Sequence, residues 1–195
     1  LALERLRRIE ASEYPTDDAP FIIPRGDAAK LFQLDLSILR STVRPGKLLK
    51  NDGTLEACCV IQSVRVAAPG IARQNATFDG GTLFLTVRSF LSANAIRATN
   101  SLDGIDHCSS NNSTVCALQS ISVPVLFGAM GGHYFIRDNE IHYELAKSKD
   151  KDFITIEGAT HGITPCVECE TSKGQYSNSV QNFFDYVAKW VNARF

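Results

Sequence analysis

Two short runs, the fully apolar Val123-Pro-Val-Leu-Phe127 and the mostly apolar Phe153-Ile-Thr-Ile156, restrict the fold of this chain more than anything else in it. Strands that lack the in/out alternation of a half-exposed sheet are buried on both faces, as in parallel sheets flanked by helices. Gly131-Gly132 ends the first run and Gly158 follows the second. Between them, Asp138 can cap a helix running to about Lys149, whose lysine-rich end suits the helix dipole. After them, residues 177–193 set Val180, Phe183, Phe184, Val187, Trp190 and Val191 on one helical stripe. Strand, helix, strand, loop, helix is the alternation of parallel α/β units, so residues 121–195 are expected to be α/β.

Residues 1–120 have a different texture and are expected to form a mostly helical cap with connectors. Residues 1–12 are helical in pattern, with Leu3, Leu6 and Ile9 opposite Arg and Glu. A turn-rich connector spans residues 15–24. Gly26-Asp27 then opens a second amphipathic helix through Leu31, Leu34, Ile38 and Leu39. Pro45-Gly46 and Asn51-Asp52-Gly53 are chain breaks, and residues 58–66 fit a strand and a buried helix equally well. Gly80-Gly81 precedes an apolar helix over 82–98, with Leu83, Val87, Phe90 and Leu91 on one side, and residues 100–114 read as a polar loop. The chain opens on Leu1-Ala-Leu-Glu-Arg-Leu-Arg-Arg8, without an initiator Met or an apolar signal region. That opening reads as the middle of a helix in a longer polypeptide.

Composition excludes several classes of function. With 20 basic against 21 acidic residues and a net charge of −1, no field favours nucleic acid or an anionic membrane surface. No apolar run approaches the ~20 residues of a membrane-spanning helix. The six cysteines fall as three local pairs, Cys58/Cys59, Cys108/Cys116 and Cys166/Cys169. Paired use of this kind suits an oxidising compartment, and with the sequons at Asn75, Asn111 and Asn112 it favours secretion.

The chemistry centres on Phe153-Ile-Thr-Ile-Glu-Gly-Ala-Thr-His161-Gly162. A histidine just beyond the carboxyl end of a buried strand stands where open α/β sheets keep their active sites. The flanking Gly158 and Gly162 are expected to carry the tight bend. Imidazole suits general acid–base work because its unperturbed pKa is ~6.5.

Here the chain resembles a known family. Ile121-Ser-Val-Pro-Val-Leu126, Glu157-Gly-Ala-Thr-His161 and the helix ending Phe184-Asp-Tyr-Val-Ala-Lys-Trp190 are similar to the penultimate strand, histidine loop and terminal helix of α/β-hydrolase-fold serine esterases. The resemblance covers about the last 75 residues. It implies attack of a serine on the acyl carbon of a small-molecule ester, with His161 taking and returning the proton. The family's usual acid slot after the penultimate strand holds His133 in this chain, which makes His133 a substrate-pocket candidate. Asp138 and Glu140 then stand jointly as acid candidates, with Asp106 or a residue outside this chain as further options. For Asp138 the plainer role is a helix cap, and for Glu140 a first-turn charge. No Gly-x-Ser-x-Gly occurs in the 195 residues. The nucleophile is therefore expected from a second polypeptide, the N-terminal half of the same hydrolase. No cofactor or metal is expected.

Cys166 and Cys169 are disulfide candidates, as are Cys108 and Cys116. A metal- or redox-linked role for the Cys166-x-x-Cys169 spacing is an alternative. Another is a catalytically inactive, hydrolase-like binding module, suggested by His133 in the acid slot.

Overall fold

The computed structural model describes residues 2–11, 20–23, 39–66, 83–94, 97–99, 104–109 and 113–195. Their elements, in chain order, begin with α1 (Ala2–Glu10), β1 (Pro20–Ile23), β2 (Ser41–Leu49), β3 (Leu55–Gln62), β4 (Leu83–Thr86) and α2 (Val87–Asn94). They continue with β5 (Arg97–Ala98), β6 (Ile105–Asp106), α3 (Thr114–Leu118), β7 (Val125–Met130), α4 (Ile136–Leu145), β8 (Lys151–Ile156) and α5 (Ser179–Asn192). The chain divides into two compact units, Leu1–Leu34 with Pro69–Ala117, and Asp35–Ala68 with Leu118–Phe195. The expected helix from Gly26 lies outside the described residues except for Leu39, and so do all three sequon asparagines.

In the first unit α1 forms as its spacing predicts. The expected helix over 82–98 does not run its full length. Leu83–Thr86 pairs as a strand with β1, from Pro20↔Thr86 to Ile23↔Leu83, and the Phe21 and Phe90 rings meet at 4.4 Å. The helix starts only at Val87, because the Thr86 hydroxyl accepts the Ser89 N–H at 3.1 Å and caps it. The described part of this unit is thus strand and helix mixed. Cys108 and Cys116 lie at disulfide distance.

The second unit is built on a four-stranded mixed sheet in the order β3-β2-β8-β7. β7 and β8 run parallel from Val125↔Lys151 to Met130↔Ile156, β8 and β2 are parallel, and β2 and β3 are antiparallel. Alternate residues of the strands enter opposite cores. Phe127, Ala129 and Phe153 pack with Ile136 and Ala146 on the α4 side. Leu126, Met130, Ile154 and Ile156 pack with Phe183 and Tyr186 of α5 on the other. Helices on both faces explain why the two runs lack the alternation of a half-exposed sheet, with Thr155 buried among apolar neighbours.

Residues 41–62 join this same sheet, although they precede position 120, where the cap was expected to end. The break expected at Pro45-Gly46 is instead a bulge within β2, with register shifts on both sides of Pro45. A bulge is where an interior strand tolerates the missing N–H of proline. Asn51-Asp52-Gly53 is a true turn. Its hairpin loop is closed by Gly53 N–H to Lys50 O at 2.9 Å and Lys50 N–H to Thr54 O at 2.9 Å, with Gly53 left-handed at φ +84°.

α4 starts two residues before Asp138, with Phe135 at its N-cap position, so Asp138 is a first-turn residue and not the cap. Lys151, from the following strand, donates to Tyr143 O and Ala146 O, both at 2.7 Å, and so satisfies the last carbonyls of the helix.

Candidate functional site

The end of β7 and the loop after β8 approach so closely that their backbones bond directly. Gly131 N–H donates to Ile156 O at 2.8 Å, and Gly132 N–H to Ala159 O at 2.7 Å. A Cβ on Gly131 would stand 2.6 Å from Ile156 O, and one on Gly132 2.8 Å from both Ala159 O and Cys166 Cβ. Two glycines are needed here because two chain segments share the space. Gly158 is needed for a further reason. Its φ is +63°, and a Cβ there would fall inside the Tyr176 ring.

This close approach brings His133 onto His161. The rings stack with centroids 4.8 Å apart at 30°. His133 is half-buried and His161 is exposed. A cavity of about 260 Å³ opens beside them, walled by Gly128, Met130, Phe135 and Ile163, with Asn139 and the two histidines as its polar members. The expected pocket role for His133 and the expected position of His161 therefore meet at one cavity.

The His133 imidazole is pushed down to about 4, first by burial, then by the neighbouring His161 and the Arg65 guanidinium. It is neutral at pH 7 and can stack on His161 without charge repulsion. The shift makes stability depend on pH. An unfolded His133 takes a proton near 6.5 and the folded one near 4, so between those values the unfolded chain holds more protons. The contribution is fully present above pH ~6.5 and is lost as pH falls toward 4. The whole shift corresponds to about 3 kcal/mol, which half-exposure to screening solvent reduces to about 1–2 kcal/mol. Melting curves between pH 4 and 7 are expected to show this slope, and His133→Phe, which keeps a flat ring, to flatten it.

The loop that carries His161 is a hairpin with three residues at its tip. Ile163 N–H donates to Thr160 O at 3.0 Å and Thr160 N–H to Thr164 O at 2.8 Å, and the two threonine hydroxyls bond at 2.7 Å. Gly162 was expected to carry this bend, but it has no left-handed φ, and a Cβ on it would meet only Thr160 Oγ1 at 3.8 Å. The left-handed residue is Ile163, at φ +54°. Cys166 and Cys169 lie at disulfide distance just beyond, with Cys166 fully buried and its N–H donated to Gly158 O at 2.7 Å. The histidine loop is thereby fastened on its far side.

No family model, curated protein or solved structure matches the chain. The site must be read from its own geometry.

The carboxylates expected beside the imidazole stand elsewhere. Glu140 is buried at 3% exposure, and both its oxygens are engaged. It accepts the Val43 N–H at 2.7 Å and the Arg44 N–H at 2.9 Å from β2, and the Arg137 guanidinium at 2.7 Å. Burial raises the carboxyl of Asp138, partly offset by its neighbours His142 and Arg137. Asp106 pairs with Arg97 at 2.6 Å within the first unit. Among the described residues no carboxylate forms an ion pair with His161. Ile163, Asn139 and Arg65 join the site unannounced. Arg65 reaches it because Val64 N–H donates to Gly131 O at 2.8 Å, a backbone tie with no signature in sequence. Cys58 and Cys59, grouped as a pair by their adjacency, are free thiols.

Proposed function

We propose that this chain is the C-terminal portion of an α/β-hydrolase-type carboxylic ester hydrolase, with His161 as its general acid–base. The serine nucleophile and the triad acid come from the N-terminal half of the same hydrolase, outside these 195 residues. One observation carries the reading. His161 lies on a tight loop beyond the carboxyl end of β8, stacked on a neutral His133 and open to a small, mainly apolar cavity. Ligands of open parallel sheets bind outside the carboxyl ends of the strands. In addition, β7 forms one edge of its sheet, with no strand on its outer side among the described residues, which leaves room for further strands from the other half.

In the reaction His161 accepts the proton of the attacking serine hydroxyl as its oxygen bonds to the acyl carbon. The imidazolium then returns that proton to the departing alcohol. Water repeats the sequence on the acyl-enzyme: its oxygen bonds to the acyl carbon as His161 takes its proton, and the imidazolium passes that proton to the serine oxygen as the carboxylic acid is released. A neutral His133 against the ring face leaves the transient imidazolium without a charged neighbour at stacking distance. Secretion belongs to the proposal, because the two cysteine pairs at disulfide distance suit an oxidising compartment. Among the described residues no helix is long and apolar enough to cross a membrane.

The second reading is a catalytically inactive binding module, favoured by the lack of a carboxylate paired with His161 among the described residues. Fluorophosphonate treatment of the native protein, followed by peptide mapping, separates the two. The hydrolase reading expects one labelled serine, outside residues 1–195, and loss of the label in His161→Ala. A protein in which no serine is labelled is the binding module.

A further inference from the structure

The hairpin loops at Asn51-Asp52-Gly53 and His161-Gly162-Ile163 are closed by the same two backbone bonds. Gly53 N–H to Lys50 O and Lys50 N–H to Thr54 O correspond to Ile163 N–H to Thr160 O and Thr160 N–H to Thr164 O. Three-residue loops of this kind place their third residue in the left-handed region, where glycine is the favoured occupant. The first loop follows the rule, with Gly53 at φ +84°, and the second breaks it, with Ile163 at φ +54°. A β-branched residue is among the least suited to that conformation, since its Cβ substituents crowd the backbone. Packing of the fold does not call for the side chain either, because Ile163 is 39% exposed. What the side chain does is wall the cavity beside His133 and His161, with Met130 and Phe135. Strained residues that persist at ligand sites point to a role there.

We propose that Ile163 sets the length of the acyl group the cavity accepts, closing it to all but short chains. The proposal rests on the ester-hydrolase reading for its substrate class. The cavity, at about 260 Å³, is below the ~300 Å³ at which drug-sized sites begin, which suits a short acyl group. Removing the Ile163 side chain is expected to extend it.

Met130 is the single methionine of the chain and lines this cavity, so its ¹³C-labelled methyl gives one signal that reports occupancy. The protein, Ile163→Gly and Ile163→Ala are titrated with butyramide and octanamide, neither of which needs to be turned over. Both variants are expected to shift the ratio of the two dissociation constants at least about tenfold toward octanamide, the low end of what one methylene changes in a hydrophobic pocket. Ile163→Gly is expected to melt several degrees above Ile163→Ala, because only glycine relieves the left-handed backbone. An unchanged ratio overturns the proposal, and so does a Met130 signal that neither amide moves in any of the three proteins. An alanine variant that melts as high as the glycine variant overturns the strain on which it depends. Because binding is read without turnover, a shifted ratio in a protein that cleaves no ester would sink the hydrolase reading and leave Ile163 as the wall of a binding cavity.

Discussion

Glu140→Ala is expected to destabilise the unit that contains the sheet by about 3–5 kcal/mol, the range for breaking a buried ion pair by removing one partner. The carboxylate bonds two N–H groups of β2 and the guanidinium of Arg137, whose side chain is 8% exposed. Truncation also leaves the two amides without their acceptor, and because Val43 and Arg44 are exposed residues each costs toward the lower end of about 1–3 kcal/mol. Arg137 keeps a partial partner in Glu144 at 3.2 Å, so the loss falls short of a fully uncompensated charge. For a unit of this size the melting temperature should drop by roughly 10 °C or more. Glu140→Gln retains the shape and one accepting oxygen and should lose less. Thermal melts of the two variants beside the native protein check the order.

The same pair of variants bears on the triad. A catalytic carboxylate replaced by its amide loses activity at nearly unchanged stability, because shape is kept and tautomer control is lost. A structural clamp does the reverse. If Glu140→Gln melted with the native protein yet turned over no ester, Glu140 would be the acid after all, and the clamp described above would be secondary.

The fold was legible in sequence wherever one element fixes its own environment. β7 and β8 announce themselves because burial on both faces leaves runs dominated by apolar residues, with the buried Thr155 as the one polar member of 153–156. α5 does so because Val180, Phe183, Val187, Trp190 and Val191 keep the helical period. β2 was not legible. Pro45-Gly46 carries the local signature of a break, and only the bulge opposite Val60 and the parallel contact to Thr155 and Ile156 reveal a strand. The helix over 82–98 failed at both ends, where Leu83–Thr86 pairs with β1 and Arg97–Ala98 pairs with β6, and strand pairing overrode the helical spacing.

At the candidate site, the position of His161 was legible because a histidine after a buried strand is a local pattern. Glu140 was visible as a residue but its clamp on β2 was not, since two of its partners are backbone amides 96 and 97 positions away, and a backbone amide has no residue type to recognise. Ile163 was overlooked for the opposite reason. It is next to Gly162, and glycine is the residue that ordinarily bends such a loop. Only the observed φ shows that the isoleucine carries the bend.

The remaining large effect is on chemistry. His161→Ala leaves the serine without a proton acceptor, and loss of a triad histidine lowers kcat at least about a thousandfold. The ring is exposed but stacks on His133, so the substitution should change stability by no more than about 1 kcal/mol. The deciding measurement is p-nitrophenyl butyrate turnover by the assembled protein, native and His161→Ala, at pH 7 and matched folding. Turnover that collapses while the melting temperature holds is the result this account requires. Equal turnover by the two proteins would remove His161 from the reaction and the ester-hydrolase reading with it.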